Sequence, residues 1–201
     1  MEMQGSRSLA VSQAVAWAEL NNPEVLKACI PGCDRLEASG DNQYALGVAV
    51  KVGPVSARFG GKIVLSDIVA PQSYTIAFDG QGGAAGFGKG VAKVRLAPEG
   101  SGCLLDYNVT AQVGGKIAQV GQRLIDGVAK SMAEDFFKRF DAQMRQRHPE
   151  AYALAEAAAA AAASTPVAPP PPPPPTGAGI PTWAWAVGAA VLLAAVLWLT
   201  Q

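Results

Sequence analysis

Five runs between Gln43 and Val113 alternate apolar and polar residues, and a 3.6-residue pattern takes over directly after them. The runs are Gln43–Val52, Val55–Ile68, Ser73–Asp79, Gly88–Leu96 and Cys103–Val113. Gly53-Pro54, Ala70-Pro71, Gly80 to Gly83 and Pro98 to Gly102 separate them at hairpin spacing. The following segment, Gly115 to Arg147, repeats Ile117, Val120, Gly121, Leu124, Ile125, Val128, Met132, Phe136, Phe140 and Met144 at three- and four-residue steps. Such a helix has one apolar face, and an antiparallel sheet is the natural surface to cover it. An α+β fold follows, with strands first and a long helix last.

Ahead of the strands, Ser6 to Val11 alternates weakly and reads as a short strand. Ser12 is placed to cap a helix through Ala14, Val15, Trp17, Ala18 and Leu20. Asn22-Pro23 restarts it, with Asn as cap and Pro at the first helical position. Pro31-Gly32 then turns the chain.

Glycine is abundant, with 22 residues. Gly121 falls on the apolar face of the expected long helix, where it costs about 1 kcal/mol relative to Ala. The segment GQGGAAGFGKG, Gly80 to Gly90, is also poor in bulk. Two readings fit. Either an apolar hollow lies beneath the helix, open to a hydrophobic guest, or sheet and helix pack closely over glycine bulges. If there is a hollow, position places Phe59, Leu65, Ile76, Phe78, Val94 and Leu105 on its sheet side. Ile117, Val120, Gly121, Leu124, Ile125 and Val128 lie on its helix side. Trp17, Leu26 and Ile30 form a lid over it or belong to the core.

The chain ends differently. Pro149 breaks the long helix and opens a second one through Glu150 to Ser164. Pro169 to Pro175 adopt polyproline II, and helix plus prolines reach on the order of 40–50 Å. Ile180 to Leu199 carries no charge, with Trp183 and Trp185 near one end and Trp198 near the other. Twenty residues at 1.5 Å each span about 30 Å, the apolar thickness of a bilayer. Aromatic residues at both ends suit the two lipid–water interfaces. The expected domains are therefore 1–148 as the folded body, 149–179 as an Ala/Pro-rich spacer and 180–199 as a transmembrane anchor. The opening residues MEMQGSRSLAV have no long apolar run, and three cysteines make an odd count, so a cytoplasmic body is expected.

Formal net charge is zero, which gives no basic face for nucleic acid. GFGKG (Gly86 to Gly90) lacks a Ser or Thr after the lysine and runs into a strand pattern, against a phosphate loop. Gly114-Gly115-Lys116 at a helix start is a weak anion signal. Cys29 and Cys33 are four apart, but the single histidine, His148, sits in the stalk region, so neither a metal site nor a Ser–His or Cys–His pair is expected. No paired carboxylates stand out, and the chain reads as a non-enzyme.

Three stretches carry a resemblance: NNPEVLKACIPGCDRLE (Asn21 to Glu37), VAVKVGPVSARFGGKIVL (Val48 to Leu65) and GGKIAQVGQRLIDGVAKSMAEDFF (Gly114 to Phe137). The chain resembles the G-subunit family of carbon monoxide dehydrogenase, part of the START-like (SRPBCC) helix-grip group. The resemblance implies a curved antiparallel sheet wrapped around the last helix, with an elongated apolar cavity between them. It implies a partner, a molybdenum-containing carbon monoxide dehydrogenase or a related cytoplasmic oxidoreductase. It also implies a quinone (menaquinone or ubiquinone) or other isoprenoid lipid as carried ligand, with no covalent cofactor. Joined to the tail, this gives a recruitment factor at the inner membrane that links the enzyme to the quinone pool. The alternatives are a pure scaffold with a filled core, and an enzyme of the same fold group such as a cyclase or aromatase.

Overall fold

The strand β1 (Glu2–Leu9) leads into α1 (Gln13–Leu20) and α2 (Pro23–Cys29). Six strands follow: β2 (Cys33–Gly40), β3 (Gln43–Val52), β4 (Val55–Val69), β5 (Ser73–Gln81), β6 (Phe87–Glu99) and β7 (Gly102–Gly114). A 3-10 segment, Lys116–Val120, precedes α3 (Gln122–Arg147), and α4 (Pro149–Ala163) comes last. The computed structural model describes residues 1–163. The proline run and the uncharged Ile180–Leu199 stretch lie outside the described residues. Among the described residues no helix is long and apolar enough to cross a membrane.

All strand pairs are antiparallel, in the order β1-β7-β6-β5-β4-β3-β2. From β2 to β7 the sheet is a simple meander, because each pair is joined by a short turn. Gly53, at φ 56°, makes one of the two-residue turns, closing Val52 on Val55. The helices α1 and α2 carry the chain from β1, at one edge, to β2, at the other. Ser12 and Asn22 cap them as their positions predict, Ser12 Oγ accepting from Val15 N and Asn22 Oδ1 from Glu24 N.

Two expectations need correction. β2 is a strand that alternation does not reveal. Its sequence, CDRLEASG, buries only Leu36, which pairs with Leu46 of β3. At a sheet edge the other positions meet water, so the apolar half of the alternation is missing. The long helix begins at Gln122 rather than Gly115. Gly121 has φ 94°, a left-handed backbone that ends the 3-10 segment and starts α3 as its N-cap. It is not an interior helical glycine, and the helix-propensity cost expected of it does not arise.

The apolar face of α3 packs along the inner face of the sheet, where odd-numbered β7 residues and even-numbered β5 and β6 residues point. At the C-terminal end of α3 the core is solid. Phe140, Met144, Val11, Ala16, Cys29 and Cys103 are all 0% exposed. Phe136 stacks on Phe140 with ring centroids 5.9 Å apart. Glu19 of α1 is 7% exposed, and its Oε1 meets Arg147 Nε and His148 Nε2, both at 3.0 Å. That cluster ties α1 to the junction of α3 and α4. Tyr152 of α4 is also buried and donates to Asp141 Oδ1 at 2.6 Å, while Arg145 lies over its ring. The compact unit therefore runs from Met1 to Ala163, and the helix at the head of the expected spacer docks on the body.

Candidate functional site

The inner face of the sheet is not filled along its whole length. Toward the N-terminal end of α3 the inward rows lose bulk at Gly61, Gly80 and Gly88, which pair across β4, β5 and β6, and at Gly90, which pairs with Phe78. A Cβ built on Gly88 meets no atom within 4 Å, and one on Gly80 meets only the Gly88 carbonyl at 3.6 Å. Gly90 is different: a Cβ there strikes the Thr110 carbonyl and Ala111 Cα of β7 as well as the Phe78 ring, so this glycine allows close backbone approach rather than leaving space.

The space so left is a chamber of about 390 Å³ between the sheet and α3. Its walls are Leu46, Val48, Val50 and Val52 of β3, Phe59 of β4, Phe78 of β5, Val109, Ala111 and Val113 of β7, and Ile125, Val128, Ala129 and Met132 of α3. Met1, Met3, Phe87 and Ile117 also line it, with Lys62, Asp79 and Gln112 as its polar residues. Val52, Phe59, Ile117 and Ile125 pack together at the start of α3. The wall is almost wholly hydrocarbon, so it offers an apolar guest burial worth roughly 25 cal/mol per Å².

A second chamber of about 200 Å³ follows the first beneath α3. The two share the same inward rows. Leu46, Phe78, Val109 and Met132 line the larger, while Tyr44, Ile76, Tyr107 and Phe136 line the smaller. On each strand these positions are two residues apart, about 7 Å. The smaller chamber is also walled by Leu20, Leu26 and Ile30 from the first two helices, and by Ile63, Leu65, Tyr74, Val94 and Leu105. Their combined room falls in the range of roughly 300–1,000 Å³ usual for small-molecule sites.

The twelve positions singled out from the sequence divide three ways. Phe59, Phe78, Ile117, Ile125 and Val128 line the larger chamber. Leu65, Ile76, Val94 and Leu105 line the smaller one. Val120, Gly121 and Leu124 line neither. Val120 packs at the Val52–Ile117 cluster, Leu124 is 42% exposed, and a Cβ on Gly121 points into open space. The break at Gly121 separates the 3-10 segment from α3, so one helical phase does not run through these positions. Leu26 and Ile30 wall the smaller chamber, and Trp17 packs edge-on against Tyr74, with ring centroids 5.3 Å apart. The inward row of β3, Leu46 to Val52, is missing from the twelve, although its alternation marks one face. Met132 of α3 is missing too, although periodicity places it on the apolar side.

Other sites weighed from the sequence fall in ordinary structure. Lys89 of GFGKG lies within β6, and Gly114-Gly115-Lys116 opens only a five-residue 3-10 segment. Cys29, Cys33 and Cys103 are free thiols. Among the described residues no three His, Cys, Asp or Glu side chains converge to hold a metal ion. A wider depression of about 890 Å³ lies over Lys93, Arg95, Asp106 and Asn108. It is shallow and polar, with Ser6 Oγ donating to Asp106 Oδ1 at 2.7 Å, and suits no apolar guest.

A seven-stranded antiparallel sheet carrying a long helix over an apolar hollow defines the START-like class of α+β folds. A START superfamily protein from Mycobacterium smegmatis has this fold, at 15% identity and TM-score 0.57, covering 72% of this chain and 97% of its own. So does the Zhui aromatase/cyclase from Streptomyces sp. R1128, at 12% identity and TM-score 0.52, covering 74% and 97%. The family model for the G subunit of carbon monoxide dehydrogenase (CoxG) matches residues 5–145, and the chain belongs to that family. A conserved protein from Geobacillus kaustophilus is 33% identical, with TM-score 0.69, over 73% of this chain and 96% of its own. No curated protein matches the chain in sequence.

Proposed function

We propose that this protein carries a quinone or similar isoprenoid lipid in the hollow beneath α3 and joins a carbon monoxide dehydrogenase, or a related molybdenum oxidoreductase, to the membrane quinone pool. The observation that carries this reading is the hydrocarbon-walled chamber of about 390 Å³, kept open by Gly80 and Gly88. A filled core would need no such glycines, so the chamber favours carriage over a pure scaffold. Membership of the CoxG family supplies the expected enzyme partner. The chamber walls are mostly hydrocarbon, with Lys62, Asp79 and Gln112 as polar residues among them, which suits holding a ligand more than turning it over. In this reading Pro169 to Pro175 space the body from a membrane anchor at Ile180 to Leu199, with the body on the cytoplasmic side. Tethering raises the local concentration of body, enzyme and lipid around one another.

Native mass spectrometry of the full chain, released from detergent after exposure to quinone-containing liposomes, tests the proposal. The expected result is one quinone mass per chain. A chain that recruits the dehydrogenase to membranes but never carries that added mass would leave the scaffold reading in its place.

A further inference from the structure

The smaller chamber differs from the larger in chemistry as well as size. Tyr44 of β3 and Tyr74 of β5 both line it from inward-facing positions. Tyr74 is 6% exposed, and burial together with the neighbouring Tyr44 holds its hydroxyl well above the usual tyrosine range. Among the described residues neither hydroxyl has a hydrogen-bond partner. Nor is the Tyr74 hydroxyl sealed away, since the buried side-chain oxygen closed off without a partner is Oε2 of Glu19. Tyr74 borders both the wide polar depression and the smaller chamber, and the space that it shares with Tyr44 is the chamber. In a chamber otherwise walled mostly by hydrocarbon, two hydroxyls without a protein partner can donate to an acceptor that a guest brings.

From this we infer that the smaller chamber is the seat of a polar head group, a carbonyl-bearing ring that accepts hydrogen bonds from Tyr44 and Tyr74 while its apolar chain lies in the larger chamber. The inference rests on the carriage reading and adds a direction to it. The head sits beneath α1 and α2, and the chain trails toward Val52 and Ile117. The smaller chamber, at about 200 Å³, has room for a ring but not for a long chain. The larger one is walled mostly by hydrocarbon, with no tyrosine among its lining residues. Trp17, edge-on to Tyr74, holds that ring in place.

The test compares two probes on the full chain. A short-chain menaquinone has ring carbonyls, whereas squalene is an isoprenoid hydrocarbon without them. Tyr44→Phe and Tyr74→Phe remove the hydroxyls and keep the rings. Menaquinone binding, titrated by native mass spectrometry, is expected to weaken about fivefold for each hydroxyl lost, with squalene binding unchanged. The infrared carbonyl stretch of bound menaquinone is expected to lie lower in the wild type than in the double variant. If the double variant binds menaquinone as the wild type does, with an unshifted carbonyl band, the head group sits elsewhere while carriage itself stands. If the wild type binds neither probe, the carriage reading falls and this inference with it.

Discussion

The two ends of α3 face the same sheet and do opposite things. Around Phe140 and Met144 every inward position is filled, down to 0% exposure for six core side chains. Around Ile125 and Val128 the sheet opposite offers glycine, and space remains. One amphipathic pattern runs through both, so helix periodicity alone does not distinguish a core from a container. The distinction lies in what the sheet presents: Leu96 and Cys103 at one end, Gly80 and Gly88 at the other. Protein interiors are close-packed by default, so a row of facing glycines under an apolar helix is a departure that points to a guest.

The sharpest way to break this comparison is truncation at each end. Phe140→Ala is expected to destabilise the protein by about 3–5 kcal/mol in denaturant unfolding. Phe78→Ala is expected to cost at least about 1 kcal/mol less, since it enlarges a space that already exists. Equal losses would mean that the hollow is packed in solution.

Alkaline titration also reports on the filled end. Burial pushes the thiols of Cys29 and Cys103 from 9.0 up to about 11, so the native state holds their protons after the unfolded chain has lost them. Stability is therefore fully present below about pH 9 and falls as pH rises toward 11. A loss of about 1–3 kcal/mol between about pH 8 and about pH 10 is expected from urea midpoints. The slope flattens in Cys29→Ala. A midpoint that does not move with pH would mean that these thiols are open to water.

Filling the hollow probes its purpose. Gly88→Leu enters open space on an extended strand, so stability is expected to stay within about 1 kcal/mol. Bound quinone should fall by at least about tenfold. Unchanged quinone binding by this variant, once shown to fold, would move the ligand away from the larger chamber. The smallest effect expected is that of Tyr152→Phe. It loses the hydrogen bond to Asp141 that docks α4 and costs about 1 kcal/mol, read as a lowered thermal midpoint.

Much of this architecture is legible in the sequence because it rests on local rules. Ser12 and Asn22-Pro23 mark the two short helices, and Gly53-Pro54 marks a hairpin. The strands β3 to β7 are legible by alternation to within a few residues at each end. The edge strand β2 escapes, because alternation reports burial and only Leu36 is buried there. The hollow is legible as a deficit of side-chain volume in Gly80 to Gly90, with close packing as the competing reading. What local rules cannot supply is phase across a break. A glycine at φ 94° looks like any other in the sequence, so periodicity runs one apolar face through Gly121 to Leu124, which is 42% exposed. The pairing of Tyr44 with Tyr74 is likewise invisible, since it depends on β4 lying between their strands and on inward parity in both.

The link from Glu19 to Arg147 and His148 has a further consequence. It clamps the point where the chain leaves α3, at the solid end, while the glycine-lined space lies toward the other end of a rod about 39 Å long. A flask gripped at its base can be tilted without anything obstructing its neck. A pull on the start of α4 thus meets filled core, away from the walls around the hollow.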